Sequence, residues 1–118
     1  MKMISAGASR WLALCALLSL TACAHRPQSI YQWGSYQDQV YRHFKGEGPE
    51  GQIQALEKDI QVTRASNRQI PPGLHAHLGM LYAEIGNDGK ARESLLAEKT
   101  IYPESTAYMD LLLKKYEQ

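Results

Sequence analysis

The sequence predicts an all-α fold of about five helices. Three observations carry this expectation. Apolar residues between positions 35 and 115 recur at intervals of three and four, the spacing of one helical face. Clusters of Gly, Pro, Ser and Asn cut that stretch into pieces of helical length. No piece sustains the alternation of a half-buried strand.

Taken in order, the first helix is expected over about 35–45. Tyr36, Val40, Tyr41 and Phe44 stand there at i, i+4, i+5 and i+8, and Gly46-Glu47-Gly48-Pro49 stops the run. The second is expected over about 50–68, with Ile53, Leu56 and Ile60 inward and Val62 and Ala65 beside them. Ser66-Asn67-Arg68 and Ile70-Pro71-Pro72-Gly73 end it. The third, about 73–86, carries Leu74, Leu78, Leu81, Tyr82 and Ile85, an amphipathic stripe at i, i+4, i+7, i+8 and i+11. Gly86-Asn87-Asp88-Gly89 is the following turn. The fourth spans about 89–101 with Ala91 and Leu95 inward and Tyr102 at its edge. The fifth starts near Pro103, a first-turn position that proline tolerates. It presents Ala107, Tyr108, Leu111, Leu112 and Lys115.

The N-terminus reads as a targeting segment, so it is set apart from the fold. Lys2 and Arg10 make a positive start, and residues 11–20 are an uncharged run too short to cross a bilayer as a helix, which takes about 20 residues. The run closes on Leu20-Thr21-Ala22-Cys23. This string resembles a bacterial lipobox, the site where a diacylglycerol is attached to the Cys thiol and the preceding segment is removed. The resemblance makes Cys23 the lipidation site, 1–22 a signal peptide, 23–34 a lipidated tether and 35–118 the helical domain. Cys15 lies in the removed segment, so a single Cys is left and no disulfide can close within the chain. Enterobacterial lipoproteins held in the inner membrane typically place Asp after the lipidated Cys. Ala24-His25 stand here, which favours the inner leaflet of the outer membrane. Multiple acyl chains make such attachment permanent.

Removing 1–22 leaves 96 residues, one small domain with a thin core. That part holds 11 basic and 12 acidic side chains, a formal charge of −1. No basic excess points to nucleic acid or to an anionic membrane surface. Within the tether, Tyr31 and Trp33, with Tyr36 just beyond, are unusual in a linker. Two readings stand for them: contact with a partner or the lipid interface, or folding back onto the first helix.

Residues 72–105 resemble one tetratricopeptide repeat, a 34-residue helix–turn–helix. Leu78-Gly79 align with its Leu-Gly pair, Tyr82 with its Tyr, Gly86 with the turn between helices, Ala91 with the small position of its second helix and Pro103 with its closing proline. The resemblance implies helical hairpins of tetratricopeptide-repeat type with a C-terminal capping helix, in which Gly79 and Ala91 let two helices approach closely while Tyr82 and Leu95 fill the gap. His75 stands where Trp is usual and Glu98 where a small Ala is usual. A longer string, from Pro71-Pro72-Gly73-Leu74-His75-Ala76-His77-Leu78-Gly79-Met80-Leu81-Tyr82 through Glu98-Lys99 to Tyr102-Pro103-Glu104-Ser105-Thr106-Ala107-Tyr108-Met109-Asp110, resembles domain-of-unknown-function family 4810. That family consists of small proteobacterial lipoproteins without an established activity. They are commonly encoded beside a lipoprotein resembling the curli secretion pore and another small lipoprotein. The resemblance, over about 31–116, implies membership of an envelope lipoprotein complex.

Catalytic signals are weak. His75 and His77 lie about 200° apart around a helix, so they do not face one metal together; helical zinc pairs use i, i+4. No phosphate loop or nucleophile elbow is present, and no metal or cofactor is expected. The polar side of helix two reads as a solvated face with i, i+4 pairs. The expected function is that of a non-enzymatic, protein-binding subunit, with Trp33, Tyr36, His77, Met80 and Glu84 as partner contacts. Of these, His77, Met80 and Glu84 are assigned to the outer side of helix three. The alternative is a small envelope enzyme or ligand carrier linked to peptidoglycan.

Overall fold

Five α-helices follow one another among the described residues from 28 onward in the computed structural model: α1 (Tyr36–Phe44), α2 (Pro49–Ala65), α3 (Leu74–Glu84), α4 (Asp88–Ile101) and α5 (Thr106–Leu113). Short 3-10 turns, Pro103–Ser105 and Lys114–Tyr116, precede and follow α5. The structure describes residues 28–117 and the isolated positions Gly7, Trp11 and Cys15. Cys23 and the lipobox lie outside the described residues. No strand occurs among the described residues, and none of their helices is long and apolar enough to cross a membrane.

Each helix packs on its neighbour in the chain, and α3 and α4 form the most extensive pair. The main core joins Ile53, Leu56 and Ile60 of α2 to Leu74, Leu78, Leu81 and Tyr82 of α3 and Ala91 of α4. A second cluster joins Leu95 of α4 to Met109 and Leu113 of α5. Helix α3 lies at the centre: seven of its eleven residues are buried, including both histidines.

Local chemistry sets the helix ends. Pro49 occupies the first turn of α2 and the Asn87 side chain caps α4 by accepting from Lys90 N–H at 3.1 Å. The N-cap residue of α3, Gly73, supplies no side-chain cap. Glu98, buried in α4, accepts there from the backbone N–H of Gly73 at 2.6 Å and of Ala76 at 3.3 Å. A carboxylate at a helix N-terminus satisfies otherwise unpaired donors and complements the helix dipole. This gives a structural role to the acid at the position that the repeat resemblance aligns with Ala. It holds α4 onto α3 through the start of that helix. Gly73 is at φ +90°, and a Cβ there would lie 2.7 Å from the Tyr36 hydroxyl.

Several inward faces differ from the periodic reading. In α1, Tyr41 and Phe44 are exposed and Gln39 is buried. The helix therefore packs through the i, i+3 side that includes Tyr36 and Gln39. In α2, Val62 and Ala65 are exposed; Thr63 is buried instead, its hydroxyl donating to the Asp59 carbonyl at 2.7 Å. That helix ends at Ala65 rather than near 68, where Ser66 turns extended. Ile85 is exposed beyond the end of α3. In α5 the buried pair is Met109 and Leu113, while Tyr108 and Leu111 are exposed. For Val62 and Tyr108 the buried residue is the next one along the helix, Thr63 and Met109, a rotation of about 100° that apolar spacing alone does not decide.

Part of the segment expected as a tether, from residue 29 onward, is folded. Tyr31 and Gln69 form an isolated parallel bridge, with Gln32 N–H donating to the Gln69 carbonyl at 2.8 Å and Gln69 N–H to that of Ile30 at 3.1 Å. At Gly34, φ is +49° and a Cβ would lie 2.6 Å from the Asp59 carboxylate. That carboxylate accepts from both the backbone N–H and the hydroxyl of Ser35, at 2.7 and 2.8 Å. Asp59 thereby ties the entry of α1 to the middle of α2.

Candidate functional site

Two concavities flank α3, and an aromatic cluster covers its start. The first concavity is a cleft of about 290 Å³ to which three helices each contribute one stripe. Helix α2 supplies Glu57, Ile60, Gln61 and Arg64; α4 supplies Lys90, Glu93, Ser94 and Ala97. Both sets fall at i, i+3, i+4 and i+7. Between them α3 contributes His75, Leu78 and Tyr82. The floor is apolar and the walls are charged.

One end of this cleft is internally satisfied. The Tyr82 hydroxyl donates to Glu57 Oε1, and Lys90 Nζ reaches both Glu57 Oε1 and the Tyr82 oxygen at 3.1 Å. The Tyr82 hydrogen bond, aided by Lys90, holds the Glu57 carboxyl below the usual carboxylate range. Burial, then the hydrogen bond to Glu57, pushes the Tyr82 phenol up. The same two partners raise the Lys90 ammonium. The opposite end has no such closure. Arg64 and the buried His75 meet there, and neither makes a salt bridge or side-chain hydrogen bond among the described residues. Burial, and secondarily the Arg64 guanidinium, lowers the His75 pKa and keeps the imidazole neutral.

The second concavity is a groove of about 300 Å³, mostly apolar, between α3 and the C-terminal end. Gly79, Met80 and Ala83 form one wall and Leu95, Leu112 and Tyr116 the other, with Glu84 and Lys115 at its margin. A Cβ on Gly79 would sit 3.1 Å from both the Ala91 carbonyl and the Leu95 side chain. Glycine therefore sets how closely α3 approaches α4.

The aromatic cluster answers the question left by the tether. Trp33 stacks on Tyr36 with ring centres 6.3 Å apart, and Tyr31 meets Trp33 edge-on at 5.9 Å. Tyr31 also lies 6.5 Å from Tyr102. The Tyr102 hydroxyl donates to the Ile70 carbonyl; burial, then the nearby Tyr31, pushes its pKa to about 12. These aromatics fold back onto the domain, although Trp33 keeps about a third of its surface exposed.

The five residues assigned to partner contact therefore separate. Met80 and Glu84 share the groove. Trp33 and Tyr36 form the aromatic cluster. His77 is not on an outer face: it is buried between Tyr36 and His43, 6.2 and 5.2 Å away between ring centres. Burial, then His43, lowers its pKa. The fourth turn-mate on its stripe is Leu81, a core residue, and helix α1 covers that side. Of the repeat-packing residues, Leu78, Tyr82, Ala91 and Leu95 are buried, Gly86 makes the α3–α4 turn at φ +75° and Pro103 opens the 3-10 turn before α5.

The charged stripes of the cleft were legible only as polar faces. Glu57 reaches Lys90, 33 residues away, rather than an i+4 partner on its own helix. The signal was the repeated i, i+3, i+4, i+7 pattern of polar and small residues in α2 and α4. Among the described residues, no group of three or more His, Cys, Asp or Glu is placed to hold a metal ion.

The chain belongs to the family described as domain of unknown function DUF4810, whose model matches residues 30–112. The match starts at the folded aromatic segment rather than at α1. No curated protein and no solved structure matches the chain.

Proposed function

We propose that this DUF4810 member is a lipoprotein anchored to the outer membrane through Cys23, and that its tetratricopeptide-type domain binds protein within an envelope lipoprotein complex. The observation that carries the protein-binding part is the α3–α5 groove. Met80 stands on its apolar wall, partly exposed, with Glu84 and Lys115 as opposite charges at the margin. Such a groove suits a partner helix that lays apolar residues at i, i+3 and i+4 inside and sets charges at the rim. The close α3–α4 approach at Gly79, with Leu95 filling the gap, supports the repeat-type reading. Tyr108 and Leu111 of α5 are exposed as well, and uncovered apolar surface usually marks an interface. The anchoring part rests on the Leu20–Cys23 string, and the partner class on the family resemblance, which favours another lipoprotein such as a curli-secretion-pore-like one.

The test is extraction of native envelopes in mild detergent with a photo-crosslinking residue in place of Met80. The expected result is a crosslink to one envelope protein, with hydrogen exchange slowed at 74–85 in the complex. Monomer alone in every detergent, together with exchange in intact envelopes equal to that of the isolated protein, overturns the reading.

A further inference from the structure

We propose that the cleft between α2, α3 and α4 binds a short zwitterionic peptide, its carboxylate held by Arg64 and His75 and its ammonium group by Glu93. The helix directions order the cleft along its length. Helix α2 runs from Glu57 to Arg64, whereas α3 brings Tyr82 level with Glu57 and His75 level with Arg64. Helix α4 brings Lys90 level with Tyr82, so Ala97 faces the Arg64 end. At the Glu57 end each charge is matched from within. At the Arg64 end a guanidinium stands beside a buried imidazole, and the facing helix offers only Ala97.

An anion completes that end. A guanidinium presents a planar fork that suits a carboxylate in two parallel hydrogen bonds. A neutral imidazole adds a hydrogen bond without a second positive charge. Glu93 decides the rest of the ligand. It lies between the two ends, and it too has no ion pair among the described residues. A doubly charged anion would meet its repulsion, whereas a ligand with an ammonium group several ångströms from its carboxylate uses both charges. Leu78 and Ile60, buried beneath, give small side chains an apolar floor. A volume near 290 Å³ is at the lower end for ligand pockets, which fits a peptide of a few small residues. This site lies on the other side of α3 from the Met80 groove, so it stands or falls independently of partner binding.

The experiment is a titration of the detergent-purified protein, followed by amide shifts in nuclear magnetic resonance. The probes are trialanine, N-acetyl-trialanine, trialanine amide and inorganic phosphate. Trialanine is expected to shift resonances of 60–64, 75–78 and 93–97. Blocking the carboxylate should weaken binding by about tenfold or more, and acetylating the amine by several-fold. Arg64→Gln should abolish binding, and Glu93→Gln should erase the difference between trialanine and its acetylated form. Both side chains are exposed, so folding is not at stake in either variant. No shift with trialanine at about 10 mM overturns the proposal. Equal binding of the amide, or phosphate binding as tightly as trialanine, overturns it as well.

Discussion

Replacing Glu98 tests how the two central helices are joined. Its carboxylate is buried and serves two backbone N–H groups at the start of α3. Glu98→Ala removes both acceptors and leaves the donors in a site that water does not readily fill. Each hydrogen bond to a charged group contributes about 1.5–3 kcal/mol, and an orphaned donor costs about 1–3. The lost helix-dipole complement adds about 0.3–1 kcal/mol. These overlap, so the expected loss is about 3–4 kcal/mol. Glu98→Gln keeps one carbonyl acceptor at similar volume and should lose about half as much. For a domain of this size, stability is of the order of 5–10 kcal/mol, and 1 kcal/mol moves the melting temperature by about 4–8 °C. The assay is urea unfolding of residues 24–118 followed by far-ultraviolet circular dichroism. Glu98→Ala should shift the midpoint strongly without changing the slope, with Glu98→Gln in between. If Ala and Gln are equally mild, Glu98 is a bystander and the α3–α4 pair is held by apolar packing alone.

Gly79→Leu should destabilise by roughly 1–3 kcal/mol or more, because even a Cβ there presses on the Ala91 carbonyl and Leu95; an unchanged thermal melt refutes the close approach. Cys23→Ala should leave an uncleaved precursor without labelled palmitate; equal labelling of wild type and variant refutes lipidation at this residue. Burial lowers the pKa of both His75 and His77 below the ordinary 6.5, so the unfolded chain binds more protons than the folded one. Stability should therefore be fully present above about pH 6.5 and fall as pH drops through the lowered values. Urea midpoints that do not change between pH 7.5 and 5 would contradict neutral burial of these histidines. Tyr82→Phe should release the Glu57 carboxyl toward its ordinary value, read by nuclear magnetic resonance titration of the side chain.

What the chain disclosed about itself follows from which signals are local. Five helices and their breaks were legible because Gly, Pro and Asn act on their own backbone, as at Gly73, Gly86 and Asn87. The core of α3 was legible because its apolar stripe is broad. The exposure of Phe44 and Tyr108 was not, since each depends on which neighbour arrives, and adjacent positions on a short helix offer competing faces. The burial of His77 follows from α1 lying across it, with Tyr36 and His43 on either side. Glu98 departs from the repeat pattern that the sequence resembles, but its partners lie 22 and 25 residues back in the chain. The same distance hid the cleft: stripes in α2 and α4 each look like solvated helix surface until α3 brings them together.

That central role of α3 makes the two candidate surfaces separable. His75, Leu78 and Tyr82 face the cleft, whereas Met80, Ala83 and Glu84 face the groove, although all six belong to one helix of 11 residues. Buried packing on both sides holds the helix in place, so a surface change on one side has no loose element through which to act on the other. Arg64 on α2 and Met80 on α3 line different concavities and share no lining residue. Effects at such independent sites add to within about 0.5 kcal/mol. The double variant Arg64→Gln, Met80→Ala should lose peptide binding as Arg64→Gln does, and co-purification of the envelope partner as Met80→Ala does. A loss of crosslinking caused by Arg64→Gln alone would mean that cleft and groove are one surface, and that the partner itself supplies the carboxylate.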